Sequence, residues 1–375
     1  MDFARLSEFL DTADERWNVP ACECVVYIDH QKVFYHAAGF SDIGKLKPAG
    51  PSDTYFIYSF TKLFTATLTM RMIEKGLLKL SDPVEKFLPA WKKATVRQVD
   101  RVIPSPVKPT VFHLLTMTAG LNYSLTAAPI QKLLAKFPET ATLRMLADCL
   151  ADEPLDFVPG ERYQYSLCHD LLGAVLEAAG GASFAELMQE SVFCPLGLTS
   201  TTFFPTRSHL ENMSQPYQRD VNTDTYLPLP KSNPFVFSPH FASGGAGLLS
   251  TSSDLILLCD ALACGGTAAS GERILSEESI LLMRKDHLTA EQKKDYVNFK
   301  PLPYSYGLGV RTLTADTGKA KAGEFGWDGA AGAYNLMDQK RRLSLVYTQN
   351  ILDHGMSFAE IHPALRDLIY EIVET

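Results

Sequence analysis

The polar and apolar pattern sets short strand-like runs at the two ends of the chain and helix-period stretches between them. "CECVVYI" (residues 22–28) and "QKVFYHA" are rich in β-branched and aromatic residues and flank a short polar turn, which predicts a hairpin. "IYSFTKLFTATLTMRMIEKGLLKL" (57–80) then carries apolar residues at helical spacing, with Lys75 in its last turn and Gly76 in the stop position. "LSDPVEKFLP" follows, with Ser81 or Asp82 as cap and Pro83 close to the first helical position. From about 110 to 195 the period is mainly helical, in "TVFHLLTMTAGL", "TLRMLADCLAD", "CHDLLGAVLEAAGG" and "SFAELMQESVF". Residues 201–240 lose that period among prolines and polar residues, which predicts a long loop of functional importance walling the substrate pocket. "GGAGLLSTSSDLILLCDALACGG" reads as a glycine-rich turn, a Ser/Asp cap and an apolar helix. Strand-like runs return at "YGLGVRTL", "AGAYNLMD" and "LSLVYTQN", and "HPALRDLIYEIVE" closes as an amphipathic helix.

This order predicts a mixed α+β fold: an antiparallel β-sheet flanked by helices, plus a mostly helical subdomain. Residues 1–65 and 241–375 would build the sheet and residues 66–240 the helical part, with the active site in the cleft between them. A length of 375 residues exceeds what one core usually serves, which fits two subdomains in one body. A net charge of -8 speaks against nucleic acid and anionic lipid as partners. The first residues lack a signal-peptide core and no window reaches the apolar length of a membrane span, so a cytoplasmic location without membrane contact is expected. The 7 cysteines are scattered, without a C-x-x-C pair; they read as buried free thiols, with Cys22 and Cys24 on opposite faces of one strand.

Candidate chemistry begins at Ser59 and Lys62. Three residues apart, they share one face of a helix, and the helix behind them is apolar, so burial of the lysine stem, drawing its amine inward, is expected. For an arbitrary Ser-x-x-Lys, capping by the serine and snorkelling by the lysine suffice. Ser105 and Lys108 show as much: they match the spacing but lie among prolines that cannot hold a helix. A buried lysine gives up its proton more readily, and a neutral amine beside a hydroxyl is what activates a serine nucleophile. No H-E-x-x-H, G-x-S-x-G or complete G-x-G-x-x-G occurs, and Gly244, Gly245 and Gly247 lack the lysine of a phosphate loop.

Six segments in order, "YSFTKLFTA", "FHLLTMTAGL", "PGERYQYSLCHDLLGAVLE", "FCPLGLTSTTF", "SGGAGLLSTSSDL" and "FGWDGAAGAYNLMD", resemble the serine β-lactamase and penicillin-binding-protein superfamily. The likeness is strongest to its class C β-lactamase-like branch, which includes carboxylesterases. The resemblance implies Ser59 as the acyl-accepting nucleophile, Lys62 as its proton partner and Tyr165 as the phenolic base or acid, with Tyr163 a weaker neighbour. It also implies an oxyanion hole from the backbone N–H groups of Ser59 and Ala330, approached closely because residue 329 is glycine.

Two positions depart from the family pattern. Leu167 stands where an amide is usual. Trp327-Asp328-Gly329 stands where β-lactamases and peptidases have Lys-Thr-Gly, a lysine that meets a substrate carboxylate. Trp327 offers an apolar wall instead, and an ionised Asp328 would repel an anion. Leu167, Trp327, Asp328 and Gly329 are therefore the expected substrate-binding residues. The expected activity is hydrolysis of a small neutral carboxylic ester through an acyl-serine, with no metal or cofactor and a small-molecule ester as substrate; the pattern leaves the oligomeric state open. A β-lactamase or D-peptidase, an acyltransferase using the same acyl-enzyme, and a non-catalytic binder of the same fold are the alternatives.

Overall fold

The computed structural model describes residues 1–220, 223 and 225–374. An eight-stranded antiparallel sheet is drawn from both ends of the chain. Its strands are β1 (Ala21–Ile28), β2 (Gln31–Asp42), β3 (Lys47–Pro48), β4 (Tyr304–Tyr306), β5 (Arg311–Leu313), β6 (Phe325–Gly326), β7 (Tyr334–Asp338) and β8 (Leu343–Thr348). Across the sheet they run β4-β5-β6-β7-β8-β1-β2-β3. The predicted hairpin is β1–β2, which turns at Asp29 and His30 with φ of 49° and 67°, the backbone twist that a two-residue turn needs. The seam between the two ends of the chain is β1 against β8, with Glu23 opposite Thr348 and Val25 opposite Val346.

Alternation along the strands decides which layer each side chain enters. Cys22, Cys24 and Val26 join Leu345 and Tyr347 on the face covered by the helices Ala4–Asp11 and His362–Glu374. Cys22 and Cys24 thus share a face instead of lying on opposite ones, because residues two apart in a strand point the same way. Val25 and Val346 enter the second and larger core, where the helices α1 (Thr61–Glu74), α2 (Cys168–Gly180) and α3 (Ser252–Ala263) lie. Glu23 is fully buried and accepts from the hydroxyls of Tyr35, Tyr55 and Ser252 at 2.8, 2.7 and 2.8 Å, which binds β1 and β2 to α3. Burial pushes its carboxyl up to about 7, against the pull of those three donors.

α1 is buried continuously from Thr61 to Met70, as a helix apolar on every side must be. Its threonines fit because Thr65, Thr67 and Thr69 donate back to the carbonyls of Thr61, Leu63 and Thr65 at 3.3, 2.8 and 2.7 Å. Gly76 follows with φ of 73°, the left-handed stop that the sequence predicts.

Other expectations need revision. "LSDPVEKFLP" yields a single 3-10 turn, Val84–Lys86. The stretch 201–240 is not one loop: it holds the helix Arg207–Asn212, capped by Thr206, and a hairpin of Tyr217–Asp220 with Thr225–Pro228. These elements are too short to show a period. All 7 cysteines are free, and Cys194 is exposed, so burial does not describe every thiol. Among the described residues no single helix is long and apolar enough to cross a membrane.

Candidate active site

Tyr58–Phe60 forms one 3-10 turn ahead of α1. Three residues per turn bring positions i and i+3 into line, and Lys62 Nζ lies 3.2 Å from Ser59 Oγ. Tyr58, immediately before the serine, has φ of 44°, and its buried ring meets Phe235 edge-on at 6.1 Å. A left-handed tyrosine is costly backbone held in place by packing, a device found beside reacting groups.

Lys62 is fully buried and donates to the Gly245 carbonyl at 2.8 Å and to Tyr123 Oη at 3.3 Å. Burial pulls its ammonium down to about 7; the charges of Asp170 and Cys168 oppose the shift only in part. With two N–H bonds used in this way, a neutral amine directs its lone pair at Ser59. The glycine-rich turn serves this arrangement. A Cβ on Gly244 would lie 2.4 Å from the His169 carbonyl, and one on Gly245 2.6 Å from Asp170 Oδ2, so only glycines let the turn reach Lys62.

Tyr165 joins the pair. The Lys62 ammonium sits over its ring at 4.6 Å, and its hydroxyl accepts from Trp327 Nε1 at 3.3 Å. Burial raises the phenol against the pull of Ser59 and Trp327, so it stays protonated at neutral pH and is fitted to give a proton. Tyr163 stays apart: its ring is buried among Tyr296 and Tyr306. The Ser105–Lys108 pair is also unconnected, since Ser105 donates to the Val107 carbonyl while Lys108 pairs with Glu85 at 2.9 Å.

Tyr123 is a residue of this site that the sequence pattern does not reveal. It stacks on Tyr165 with centroids 5.5 Å apart and accepts from Lys62 at 3.3 Å. Its only signal was its place two residues after "TMTAGL". Tyr123→Phe is expected to lower kcat about tenfold with little change in KM, because the lost hydroxyl helps to orient the amine. Steady-state kinetics on one p-nitrophenyl ester would check this, and a rise in KM alone would disprove it.

The turn after β6 closes the site. A Cβ on Gly329 would lie 2.4 Å from the Ile57 carbonyl, so glycine is what lets this turn press against the serine-bearing turn. Ala330 N–H has no acceptor within the described chain, which leaves it free for an oxyanion, as the resemblance implies. Ser59, Tyr165, Trp327, Asp328, Gly329 and Ala330 line a chamber of about 520 Å³. Leu167 does not: it is buried in the core at the start of α2. The remaining walls come from Phe299 and Lys300 and from residues 353–355 with Phe358, rather than from residues 201–240. From that stretch, Phe235 packs behind Tyr58 and Tyr123, and Met213 and Leu210 join the cluster around Tyr58.

Asp328 corrects the charge argument. It accepts from Arg311 at 2.7 Å and from Lys300, and Arg311 also meets Glu324 at 3.0 Å. Burial alone would raise the Asp328 carboxyl, but the charges of Lys300 and Arg311 outweigh it and hold the group well below the usual carboxylate range. The aspartate is ionised, yet two cations compensate it, so it is no free charge to repel an anion. The metal-ligand types that converge among the described residues are Asp29, His30 and Cys264 at the β1–β2 turn. Asp29 is already paired with Arg342 at 2.5 Å and His30 with Asp260 at 2.7 Å.

An antiparallel sheet backed by helices, with a serine–lysine turn beneath it, defines a serine hydrolase of the β-lactamase and transpeptidase fold. The chain belongs to the Beta-lactamase family, whose model matches residues 9–369. Protein Rv1367c of Mycobacterium tuberculosis is 30% identical over 327 residues, covering 82% of this chain and 80% of that one. Esterase EstB of Burkholderia gladioli is 26% identical over 397 aligned positions, covering 98% and 95%. Among solved structures, EstCE1, a hydrolase with promiscuous acyltransferase activity, aligns with a TM-score of 0.80 at 25% identity, covering 98% of this chain and 97% of that one.

Proposed function

We infer that the protein hydrolyses carboxylic esters that are neutral and apolar around the scissile bond, through an acyl-Ser59 intermediate. One observation carries the reading: a fully buried amine, drawn down to about 7, stands 3.2 Å from a serine hydroxyl with a protonated phenol beside both. Lys62 takes the Ser59 proton as the oxygen attacks the carbonyl, and the N–H groups of Ser59 and Ala330 hold the oxyanion. Tyr165 gives a proton to the departing alcohol and regains one from the Lys62 ammonium; the amine, neutral again, takes a proton from the water that attacks the acyl group and returns it to Ser59 Oγ as the acid leaves. Phe299, Trp327 and Phe358 make the chamber walls aromatic, which suits apolar groups flanking the ester. The names of EstB and EstCE1 agree with ester chemistry.

A serine-directed fluorophosphonate tests the nucleophile. Intact-mass analysis should show one adduct per chain, mapped to Ser59 and lost in Ser59→Ala, together with a burst of p-nitrophenol from a short-chain ester. An adduct elsewhere, or no burst at any chain length, would overturn the reading. The same acyl-enzyme could pass its acyl group to an alcohol, a reading that the promiscuous acyltransferase activity of EstCE1 favours. Added alcohol that yields a new ester at the expense of free acid would establish it. The β-lactamase or peptidase reading is disfavoured by Trp327 in the place of a lysine, and nitrocefin turnover faster than ester cleavage would reinstate it.

A further inference from the structure

A second cavity, of about 230 Å³, adjoins the active-site chamber, and the two share Lys300 and Phe358 in their walls. Lys300, Arg311 and Arg366 line this second cavity, and among the described residues no carboxylate does. The acids that balance the cations stand outside the lining: Asp328 and Glu324 for Lys300 and Arg311, and Asp367, 2.8 Å from Arg366. Burial keeps the lining His362 neutral by pulling its imidazole down to about 3, so it adds no charge. The wall facing the cavity is therefore cationic although the surrounding cluster is balanced.

Donors remain for a ligand. Arg366 spends Nε and Nη2 on Asp367 and one N–H of Nη1 on Tyr304 Oη at 3.1 Å, which leaves N–H groups on both terminal nitrogens. Lys300 gives one of its three protons to Asp328 and stands where the two cavities meet. A guanidinium and an ammonium lining a concavity without an acid form a receptor for a carboxylate or phosphate group.

We propose that this cavity binds an anionic group at the far end of the ester substrate, whose scissile carbonyl lies at Ser59. The preferred substrate is then an elongated ester, apolar at the reacting bond and anionic at its tip. This inference rests on the ester reading of the chamber. The anionic tip must be tethered beyond Phe358, so a minimum chain length is part of the proposal.

Two series of p-nitrophenyl esters test it: straight-chain acids, and the same acids carrying a terminal carboxylate, at matched lengths. The ratio of kcat/KM for the anionic ester to that for its neutral match should rise with length to a maximum. At that length, Arg366→Gln should lower the ratio about tenfold, the scale of one charge-assisted contact. Thr317→Asp, which puts an acid into the cavity lining from a more accessible position, should lower it similarly if Arg366→Gln folds poorly. A ratio that is flat with length, or equal in wild type and both variants, overturns the proposal. Calorimetric titration of inorganic phosphate into Ser59→Ala separates the sources of the anion. Phosphate binding abolished by Arg366→Gln, with a flat ratio, would assign the cavity to a free anion instead of a substrate arm. If neither ester series is turned over, the ester reading fails, and the titration still decides the cation-lined site: binding lost in Arg366→Gln sustains it, and no binding removes it.

Discussion

Lys62→Met is expected to lower kcat/KM for a neutral p-nitrophenyl ester by roughly 10³–10⁴-fold, the upper range for a general base, while making the protein more stable. The amine faces Ser59 at 3.2 Å, and with Tyr123 and Tyr165 both raised by burial it is the group whose proton is lost near neutral pH. In the native enzyme kcat/KM should therefore climb about tenfold per pH unit below about 7 and level off above it. The methionine variant should lose that limb. The stability effect follows from the same shift. The folded pKa of about 7 lies below the ordinary lysine value of 10.5, so between these values the unfolded chain binds more protons and stability rises with pH. Below about 7 both states are protonated and the burial penalty on Lys62 is fully present. Methionine removes it, and a gain of about 1–4 kcal/mol is expected in urea unfolding at pH 6, shrinking toward pH 10. A variant that keeps the native pH profile, or is less stable at pH 6, would dismiss Lys62 as the titrating base.

Arg311→Met should cost about 3–5 kcal/mol of stability, because it strands two buried carboxylates. Arg311 is 1% exposed and donates to Asp328 at 2.7 Å, to Glu324 at 3.0 Å and to the Asn335 carbonyl at 2.5 Å. Asp328 keeps Lys300, but Glu324, fully buried, is left among the described residues with the Tyr304 hydroxyl at 3.0 Å. The damage should reach the active site, since Asp328 lies between Trp327 and Gly329 in the turn that closes the chamber. Adding Glu324→Gln should recover part of the loss by removing the worse-placed charge. Urea midpoints of the single and double variants measure both effects. A midpoint shift below about 1 kcal/mol in Arg311→Met would show that water or rearrangement satisfies the acids.

The serine and lysine were legible because their relation is local: a spacing of three, with an apolar helix behind it. Tyr165 was reachable through the order of six short segments, since nothing in "RYQYSL" alone separates it from Tyr163. Tyr123 was not legible, because its part depends on stacking against Tyr165 across the fold. The charge state of the Asp328 site failed for the same reason: Arg311 and Lys300, 17 and 28 residues earlier, supply cations that no local pattern announces. Leu167 was read from its place in a motif, whereas the structure uses it as a core residue at the start of α2. In the fold, β1, β2, β7 and β8 carried clear strand patterns. The helix and hairpin within residues 201–240 did not, because four to six residues are too few to define a period.

The pairing of Glu23 with Thr348 also has a bearing on biosynthesis. As the polypeptide leaves the ribosome, β1 and β2 emerge well before their neighbour β8, so one sheet edge waits unpaired until β8 follows. Closing a loop of that size is slow, and the nucleophile is made long before the Trp327 turn that encloses it. A nascent chain thus holds a serine and a lysine with no chamber around them until the Trp327 turn follows.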